Sequence, residues 1–435
     1  MVIVDSILSK CMYIFFFPLF FLFFFSVQFT SFPYIVYFYI VVIPLLALTD
    51  NYLFQMALSL LRNRYVLFLF LIYLAVAFLM LLVAFVHGSG DISIMKPILH
   101  SLAAVPSCLV IAAAMVRMGG GGQLTGFLGG LLKIQSLIIV LMLVFTEFRE
   151  LIFSLLRSEA ELERMSSYGG ARGLGMAGSV AFGLSTIMSI VYFNYFSFKY
   201  IDNGRRFFIR DYLWLIFCGV ASLSAGRTAI LGIALVPAFV FIVKSANFKG
   251  IDPRSNIKSI LIILSCAFLF FNLFIYIESP TVERYLLYVL EPVMHFIATG
   301  SFEVSSLKGL SNMYFDPGQS TLLFGDGRFL TSAGTYYGNT DAGYMRFILF
   351  GGAGFSFLIY MLFILFCLTY YFSIRNIVPF PSVFVFLFGF ICFVFQYKGH
   401  LIFSSLYISK LVFISVFYCI LVKSKYRAQL HRVQL

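Results

Sequence analysis

Charged residues are scarce in this sequence. Only 11% of its 435 residues are Asp, Glu, Lys or Arg, whereas 61% are hydrophobic and 56 are Phe. Soluble domains carry about 25% charged residues, so the composition excludes a water-soluble globular protein. It predicts an all-α polytopic membrane protein, because the chain contains apolar runs of about 20 residues, the length that a helix needs to cross a bilayer core.

Metal-ligand and disulfide patterns are also missing. The seven cysteines lie within apolar runs and form no C-x-x-C pair, and only five histidines are present. Cysteines in such surroundings behave as small hydrophobic side chains. The sequence therefore predicts no metal site, no disulfide framework and no cofactor.

Twelve apolar segments are candidate membrane helices. They cover residues 11–30, 33–49, 65–86, 97–116, 126–146, 174–197, 211–225, 227–244, 257–277, 342–373, 378–396 and 400–422. The first follows a weakly charged head and lacks a small-residue cleavage site, so we expect a retained span rather than a signal peptide. Residues 1–435 are predicted to form a single integral membrane domain.

Basic residues are unevenly distributed between these spans. With a cytoplasmic N-terminus, the inside segments hold more than half of the 30 Lys and Arg residues but fewer than a third of the 18 acidic residues. The positive-inside rule then places both termini in the cytoplasm. The net charge of +12 is a topology signal, aided by anionic membrane lipids, and needs no nucleic-acid partner.

Two long segments, 147–173 and 278–341, fall on the same outer face, and long ordered loops commonly carry function. The first begins with an amphipathic helical pattern and ends in a glycine-rich stretch. Its acidic residues fit a solvated surface helix. Arg164 and Arg172 stand beside Gly and Ser residues, whose backbone amides can approach an anion, so both are candidate substrate-binding residues.

The second long segment is helical in pattern after Pro280 and rich in turns around Gly325-Asp326-Gly327. Tyr, Phe, Ser, Asn and Gln side chains accompany its basic residues. Aromatic planes, hydroxyls and amides suit sugars, while arginine forks suit phosphate oxygens. The candidate substrate contacts in this segment are Arg284, His295 and Arg328.

Two further arginines lie at membrane boundaries. Arg227, in "SLSAGRTAILG", stands where two helices meet and could grip a pyrophosphate, although ordinary snorkelling is the alternative. Arg346 lies about one turn into its helix and is expected to face a wet cavity or an acidic partner. Asp341, just before that helix, could orient a hydroxyl or accept its proton, or could simply cap the helix. Tyr344 is a candidate substrate contact in the same stretch.

The last predicted helix carries four polar residues at helical spacing. His400, Ser404, Tyr407 and Lys410 would share one face of it. A lysine near the middle of a membrane is costly unless it lines a polar cavity. The face therefore indicates either a cavity or hydrogen bonding between helices.

The order of the motifs resembles a known family. "SAGRTAILGIALVPAF", then one span, a large outer loop and "TDAGYMRFILFGGAGF", is similar to bacterial O-antigen polymerases of the Wzy type. The resemblance implies a GT-C-like membrane glycosyltransferase that joins repeat units carried on undecaprenyl pyrophosphate at the periplasmic face of the inner membrane. It also implies a chain-length regulator (polysaccharide co-polymerase) as partner.

O-antigen ligases are related to this family and share a small-residue motif ending in Arg, which resembles Ser224 to Arg227. They begin the helix after the large loop with His-Asn, whereas this chain has Thr340-Asp341 there, which favours a polymerase. A lipid-oligosaccharide flippase is a rival from another class, and Lys410 is the main feature in its favour.

The resulting hypothesis is an inverting, metal-free glycosyl transfer. Arg227 and Arg284 would hold the pyrophosphate, with Arg172, Arg328 and Arg346 in support. Asp341 is the expected catalytic carboxylate, and His295 is the alternative base.

Overall fold

The computed structural model describes residues 16–48, 50–117, 123–166, 174–179, 181–246, 294–300 and 309–433, together with Glu283, Leu287 and Glu291. These residues form helices and connecting turns, and the only β pairing among them consists of two isolated bridges. The predicted all-α architecture is therefore confirmed for the described part of the chain.

The helices, in chain order, have the following bounds. They are α1 (16–24), α2 (Ile35–Leu48), α3 (Asn51–Leu61), α4 (Arg64–Val86), α5 (Lys96–Ala103), α6 (Val105–Arg117), α7 (Gln123–Val144), α8 (Thr146–Leu156), α9 (Glu159–Ser166), α10 (Phe182–Asp202), α11 (Ile209–Ala225), α12 (Ile230–Ser245), α13 (Gln319–Phe324), α14 (Gly343–Ile374), α15 (Pro381–Lys398) and α16 (Leu406–Val433). Glu283, Leu287, Glu291 and 294–299 are helical as well.

Seven stretches among the described residues are long and apolar enough to cross a membrane. They are Arg64–Val86, Ser93–Arg117, Gln123–Val144, Arg227–Ser245, Gly343–Ile374, Pro381–Lys398 and Leu406–Lys425. An eighth results if α2 and α3, which meet at a bend of 113°, form one broken span. The chain is thus a multi-pass membrane protein. The total of twelve spans stays a prediction. Helices α10 and α11, at the predicted spans 174–197 and 211–225, are not among these stretches, and segment 257–277 lies outside the described residues.

Helix α4 illustrates how these spans arise. The Asn63 side chain accepts the N–H of Tyr65 at 3.0 Å and starts the helix, and no charged residue follows Arg64 within it. Phe78 and Phe85 are 64% and 85% exposed on its surface. Large apolar side chains left this exposed are what lipid contact requires.

The sequence predicts one membrane domain, and the contacts within the chain group its residues into two compact units. Unit 1 comprises Met1–Val42, Arg117–Ala298 and Val378–Phe384. Helix α10 is its centre, because all side chains from Leu184 to Phe198 are buried and the helix packs on α7, α11 and α12.

The start of α10 differs from the sequence-based prediction. The helix begins at Phe182 rather than at residue 174. Arg157 explains the difference, because its buried guanidinium donates hydrogen bonds to the carbonyls of Gly175 (3.2 Å) and Ala177 (2.9 Å). Both carbonyls thus have a hydrogen-bond donor without being part of a helix, so the chain does not need to be helical there.

Unit 2 comprises Ile43–Val116, Thr299–Ile377 and Val385–Leu435. Its longest helix, α14, is broken at Gly352, which has φ 75° and ψ −174°. The carbonyls of Leu349 and Phe350 next to the break accept the N–H groups of Asp326 and Gly327, both at 2.8 Å. The turn predicted around Gly325-Asp326-Gly327 therefore docks into the break and joins the large loop to the membrane helix.

Candidate functional site

The turn between α11 and α12 carries Arg227 and belongs to unit 1. Helix α11 ends at Ala225, Gly226 follows in extended conformation, and Arg227–Ala229 form one 3-10 turn before α12 begins. We call residues 226–229 the Arg227 turn.

Small residues and hydroxyls fix this turn against α10. A side chain at Gly226 would place its Cβ 2.9 Å from the Cβ of Ser185, and the Ser185 hydroxyl hydrogen-bonds the hydroxyl of Thr228. Further on, Gly232 donates its N–H to the Ser189 hydroxyl at 2.8 Å, and a Cβ there would meet the Ser189 carbonyl. The small residues of "SAGRTAILG" thus serve close helix packing, which fixes the backbone of Arg227.

The side chain of Arg227 forms an ion pair with Glu291. Its Nη2 lies 2.8 Å from the Glu291 Oε2, and the two side chains are 18% and 37% exposed. Glu291 belongs to the helical part of the large loop, which the sequence predicted as helix. The sequence alone does not single out this carboxylate, because an acidic residue in a helical segment has no local feature that identifies its distant partner.

Arg346 lies in unit 2, in the first turn of α14, and is 6% exposed. Its guanidinium carbon lies 3.7 Å from the ring centre of Phe329 and 3.6 Å from that of Tyr336, so two aromatic rings contact the cation. The Nη2 atom has no hydrogen-bond partner among the described residues. We call Arg346, Phe329 and Tyr336 the Arg346 clamp.

The sequence predicts either a wet cavity or an acidic partner for Arg346. The clamp rings cover the cation, and Asp341 and Asp91 interact with it electrostatically, which agrees with the second alternative. Tyr336 is 44% exposed, so the clamp lies close to the surface of its unit.

Asp91, in the connection after α4, holds the hairpin formed by residues 329–337 around the Leu330–Tyr336 bridge. This hairpin carries both rings of the clamp. Its Oδ2 accepts the N–H groups of Phe329 (2.7 Å) and Leu330 (2.8 Å), and its Oδ1 accepts the Ser93 hydroxyl. Burial disfavours the carboxylate, but these hydrogen bonds outweigh burial and lower the pKa of Asp91 below its ordinary value. The loop aromatics are thus fixed by an ionised carboxylate that sequence reasoning missed.

His400 approaches the clamp from the connection between α15 and α16. Its ring contacts Phe329 and Phe347, with centroid distances of 5.2 and 4.7 Å, and its Nε2 is buried without a hydrogen-bond partner among the described residues. Burial and the neighbouring Arg346 cation hold the pKa of His400 well below its ordinary value. The imidazole is therefore neutral at pH 7.

The predicted polar face of the last helix is wrong for His400 and Ser404. Helix α16 begins only at Leu406, so both residues precede it, while Tyr407 and Lys410 lie on it. The cause is Gln396, whose Oε1 accepts the N–H groups of Leu401 and Ile402 at 2.8 and 2.9 Å and holds the chain in a turn.

Lys410 is completely buried in α16, beside a polar cluster in which the Ser409 hydroxyl bonds those of Tyr73 (2.6 Å) and Ser101 (3.0 Å). The Tyr407 ring lies 5.9 Å from its amine. The hydrogen bonds of Ser409 join α16 to α4 and α5, while the predicted role of Tyr407 and Lys410 themselves stays a prediction.

Asp341 is exposed and does not cap α14. Ala342 is the N-cap residue, and its N–H bonds the Thr340 hydroxyl instead. Tyr344 is half-buried and donates to the Phe393 carbonyl at 2.9 Å, and Arg328 is exposed.

Two of the four remaining predicted site residues lie outside the residues that the structure describes. Arg172 and Arg284 are outside the described residues, and Arg164 lies on α9 with an undescribed side chain. His295 is helical and half-buried. The described residues contain no group of three or more His, Cys, Asp or Glu that could hold a metal.

No protein-family model, curated protein or solved structure matches this chain.

Proposed function

We propose that this chain is an O-antigen polymerase. It would lie in the bacterial inner membrane with both termini in the cytoplasm, and would join oligosaccharide repeat units carried on undecaprenyl pyrophosphate at the periplasmic face. The observation that carries the proposal is Arg227, a cation on a fixed backbone at the start of a span, partly exposed and paired with one half-exposed carboxylate.

This setting suits a lipid diphosphate. Arginine pairs with phosphate oxygens through two parallel hydrogen bonds, which an ion pair with a carboxylate at a partly exposed site does not prevent. The start of a span is also the depth at which the headgroup of a lipid-linked sugar lies. Arg227 would hold the diphosphate, and Arg284, Arg164 and Arg172 of the two long segments are the proposed additional contacts.

The proposed reaction is an inverting glycosyl transfer on a GT-C-like scaffold. Lipid diphosphate is already a good leaving group, so the protein chiefly neutralises its developing charge and orients the attacking hydroxyl, and no metal is required. The aromatic and hydroxyl side chains of the second long segment are of the kind that bind sugars. A chain-length regulator remains the proposed protein partner.

Two rivals predict different products. An O-antigen ligase would transfer the same lipid-linked chains to lipid A core and would not lengthen them. A flippase would move lipid-linked units across the membrane without joining them, and the buried Lys410 is the feature that favours this alternative. Product analysis therefore separates the three functions.

The test uses the full chain, purified in detergent and supplied with undecaprenyl-pyrophosphate-linked repeat units. The wild type should form a polymer ladder without added metal. Arg227→Ala should lower the rate by roughly 100-fold or more, the usual effect of removing one donor from a developing negative charge. Arg227→Lys should retain part of the rate, since lysine keeps the positive charge but cannot donate the two parallel hydrogen bonds of a guanidinium.

Arg375→Ala is the matched control. It removes the same charge from an exposed arginine at the C-terminal end of α14, where the guanidinium lies over the ring of Phe372. Its rate should stay close to that of the wild type. Absence of polymer from the wild type, or a normal ladder from Arg227→Ala, would contradict the proposed function.

A further inference from the structure

The carboxylate that the structure places beside the arginine of the "SAGRTAILG" motif is Glu291. Its Oε2 lies 2.8 Å from the Arg227 Nη2, and 37% of the Glu291 side chain is exposed. Asp341, the carboxylate selected from the sequence, is exposed and interacts with Arg346. Among the described residues of unit 1, Glu291 is the carboxylate that contacts the Arg227 turn.

The ion pair is weak enough to be exchanged. Partly exposed pairs contribute about 0 to 1 kcal/mol, because water solvates both ions. A diphosphate carries more negative charge than a carboxylate and can accept a bidentate pair from arginine. A diphosphate that binds Arg227 therefore releases Glu291 at small cost, and leaves an ionised carboxylate next to the bond between the sugar and the phosphate.

We propose that Glu291 is the proton acceptor of the glycosyl transfer, and that it is held inactive on Arg227 until a lipid diphosphate replaces it. This inference rests on the proposed function. It adds a catalytic residue and makes the release of the base depend on the arrival of the substrate.

The proposed transfer forms one bond at the anomeric carbon of the sugar and breaks another. The oxygen of the acceptor hydroxyl forms a bond with the anomeric carbon, and the bond between that carbon and the diphosphate oxygen breaks. The electron pair of the broken bond leaves with the diphosphate, which Arg227 neutralises. The hydroxyl proton passes to the Glu291 carboxylate, which releases it to water before the ion pair with Arg227 forms again.

The principal variant is Glu291→Gln in the full-length protein, because glutamine keeps a hydrogen-bond acceptor for Arg227 but cannot take up the proton. Glu283→Gln is the matched control, since Glu283 is an exposed residue of the same helical segment. Three quantities are measured: kcat for polymerisation, KM for the lipid-linked unit, and the affinity for inorganic pyrophosphate as a probe of the Arg227 site.

Glu291→Gln should lower kcat by roughly 100-fold or more, the usual contribution of a general base. Its pyrophosphate affinity should equal or exceed that of the wild type, because the competing negative charge on Arg227 is gone. Glu291→Asp should recover part of kcat, and Glu283→Gln should change none of the three quantities.

Several outcomes would overturn the inference. One is a kcat for Glu291→Gln within about threefold of an active wild type, and a second is a large loss for Asp341→Asn or His295→Gln while Glu291→Gln stays active. Loss of pyrophosphate binding in Glu291→Gln would assign Glu291 a purely structural role. A wild type that binds pyrophosphate but forms no polymer would instead reject the proposed function itself.

Discussion

Replacing Tyr336 by leucine tests how the Arg346 clamp holds the large loop. The substitution keeps an apolar side chain over the guanidinium but removes the aromatic face that lies 3.6 Å from it, together with the hydroxyl that hydrogen-bonds Arg346. A cation on an aromatic ring contributes about 0.5 to 1 kcal/mol at exposed sites and about 2 kcal/mol when desolvated. Arg346 is buried and Tyr336 is 44% exposed, so we expect a loss of about 1 to 2 kcal/mol.

The loss should increase local opening of the hairpin that Tyr336 closes. In this hairpin, the Thr331 N–H bonds the Thr335 carbonyl at 2.8 Å, and the Tyr337 N–H bonds the Phe329 carbonyl. Because 1.4 kcal/mol corresponds to a factor of ten, hydrogen exchange of these two amides should accelerate roughly 5- to 30-fold. Amides in the middle of α4 serve as the internal reference.

A double-mutant cycle separates the cation–ring interaction from ordinary packing. In an Arg346→Met background no cation remains, so Tyr336→Leu should accelerate exchange by less than about twofold. An equal acceleration in both backgrounds would refute the reasoning. It would mean that Tyr336 holds the loop by apolar contact alone.

Three further predictions concern backbone strain, pH and buried charge. Gly352→Ala should clearly lower the melting temperature, because the backbone conformation of Gly352 is almost exclusive to glycine and a Cβ there would lie 2.3 Å from the Leu323 carbonyl oxygen. Gly354→Ala is the control: a Cβ at Gly354 would enter open space, so the melting temperature should stay unchanged or rise. Folding lowers the pKa of Asp91 below its unfolded-state value of about 3.9. The Asp91 carboxylate therefore stabilises the hairpin fully above that unfolded-state pKa, and this stabilisation is lost as the pH falls through the folded-state pKa. Limited proteolysis of the hairpin should show this loss, and Asp91→Asn should remove the pH dependence. Lys410→Met should preserve the proposed polymerisation and should not lower the melting temperature, because an apolar side chain of similar length replaces a buried amine. Loss of polymerisation in this variant would contradict a purely structural role for Lys410.

Features set by local sequence could be predicted. The spans follow from uncharged apolar length, as in α4, and the turn at Gly325-Asp326-Gly327 follows from residues that break regular structure. The helix predicted at the start of the first long segment is confirmed by α8 and α9. Each of these signals is contained within about 20 neighbouring residues.

Features set by distant side chains could not be predicted. Gln396 ends the helical run before His400 by accepting two backbone N–H groups, and helical spacing alone gives no sign of this. Arg157 likewise holds Gly175 and Ala177 out of α10. Long polar side chains that satisfy backbone groups elsewhere in the chain override local periodicity, because a satisfied carbonyl or N–H no longer needs a helix.

Burial distinguishes the two boundary arginines more clearly than their positions in the sequence. Both stand within the first turn of a predicted span, and sequence reasoning assigned both to the same substrate. Arg346 is enclosed by two rings that belong to its own unit, so an anion could reach its free Nη2 only after the clamp opens. Arg227 keeps 18% of its side chain exposed and is paired with a carboxylate that water already solvates in part. Exchange of one anion for another is far less costly there than separating two aromatic rings from a buried cation. For this reason substrate binding is proposed for Arg227 and not for Arg346, whose contacts attach the large loop to α14.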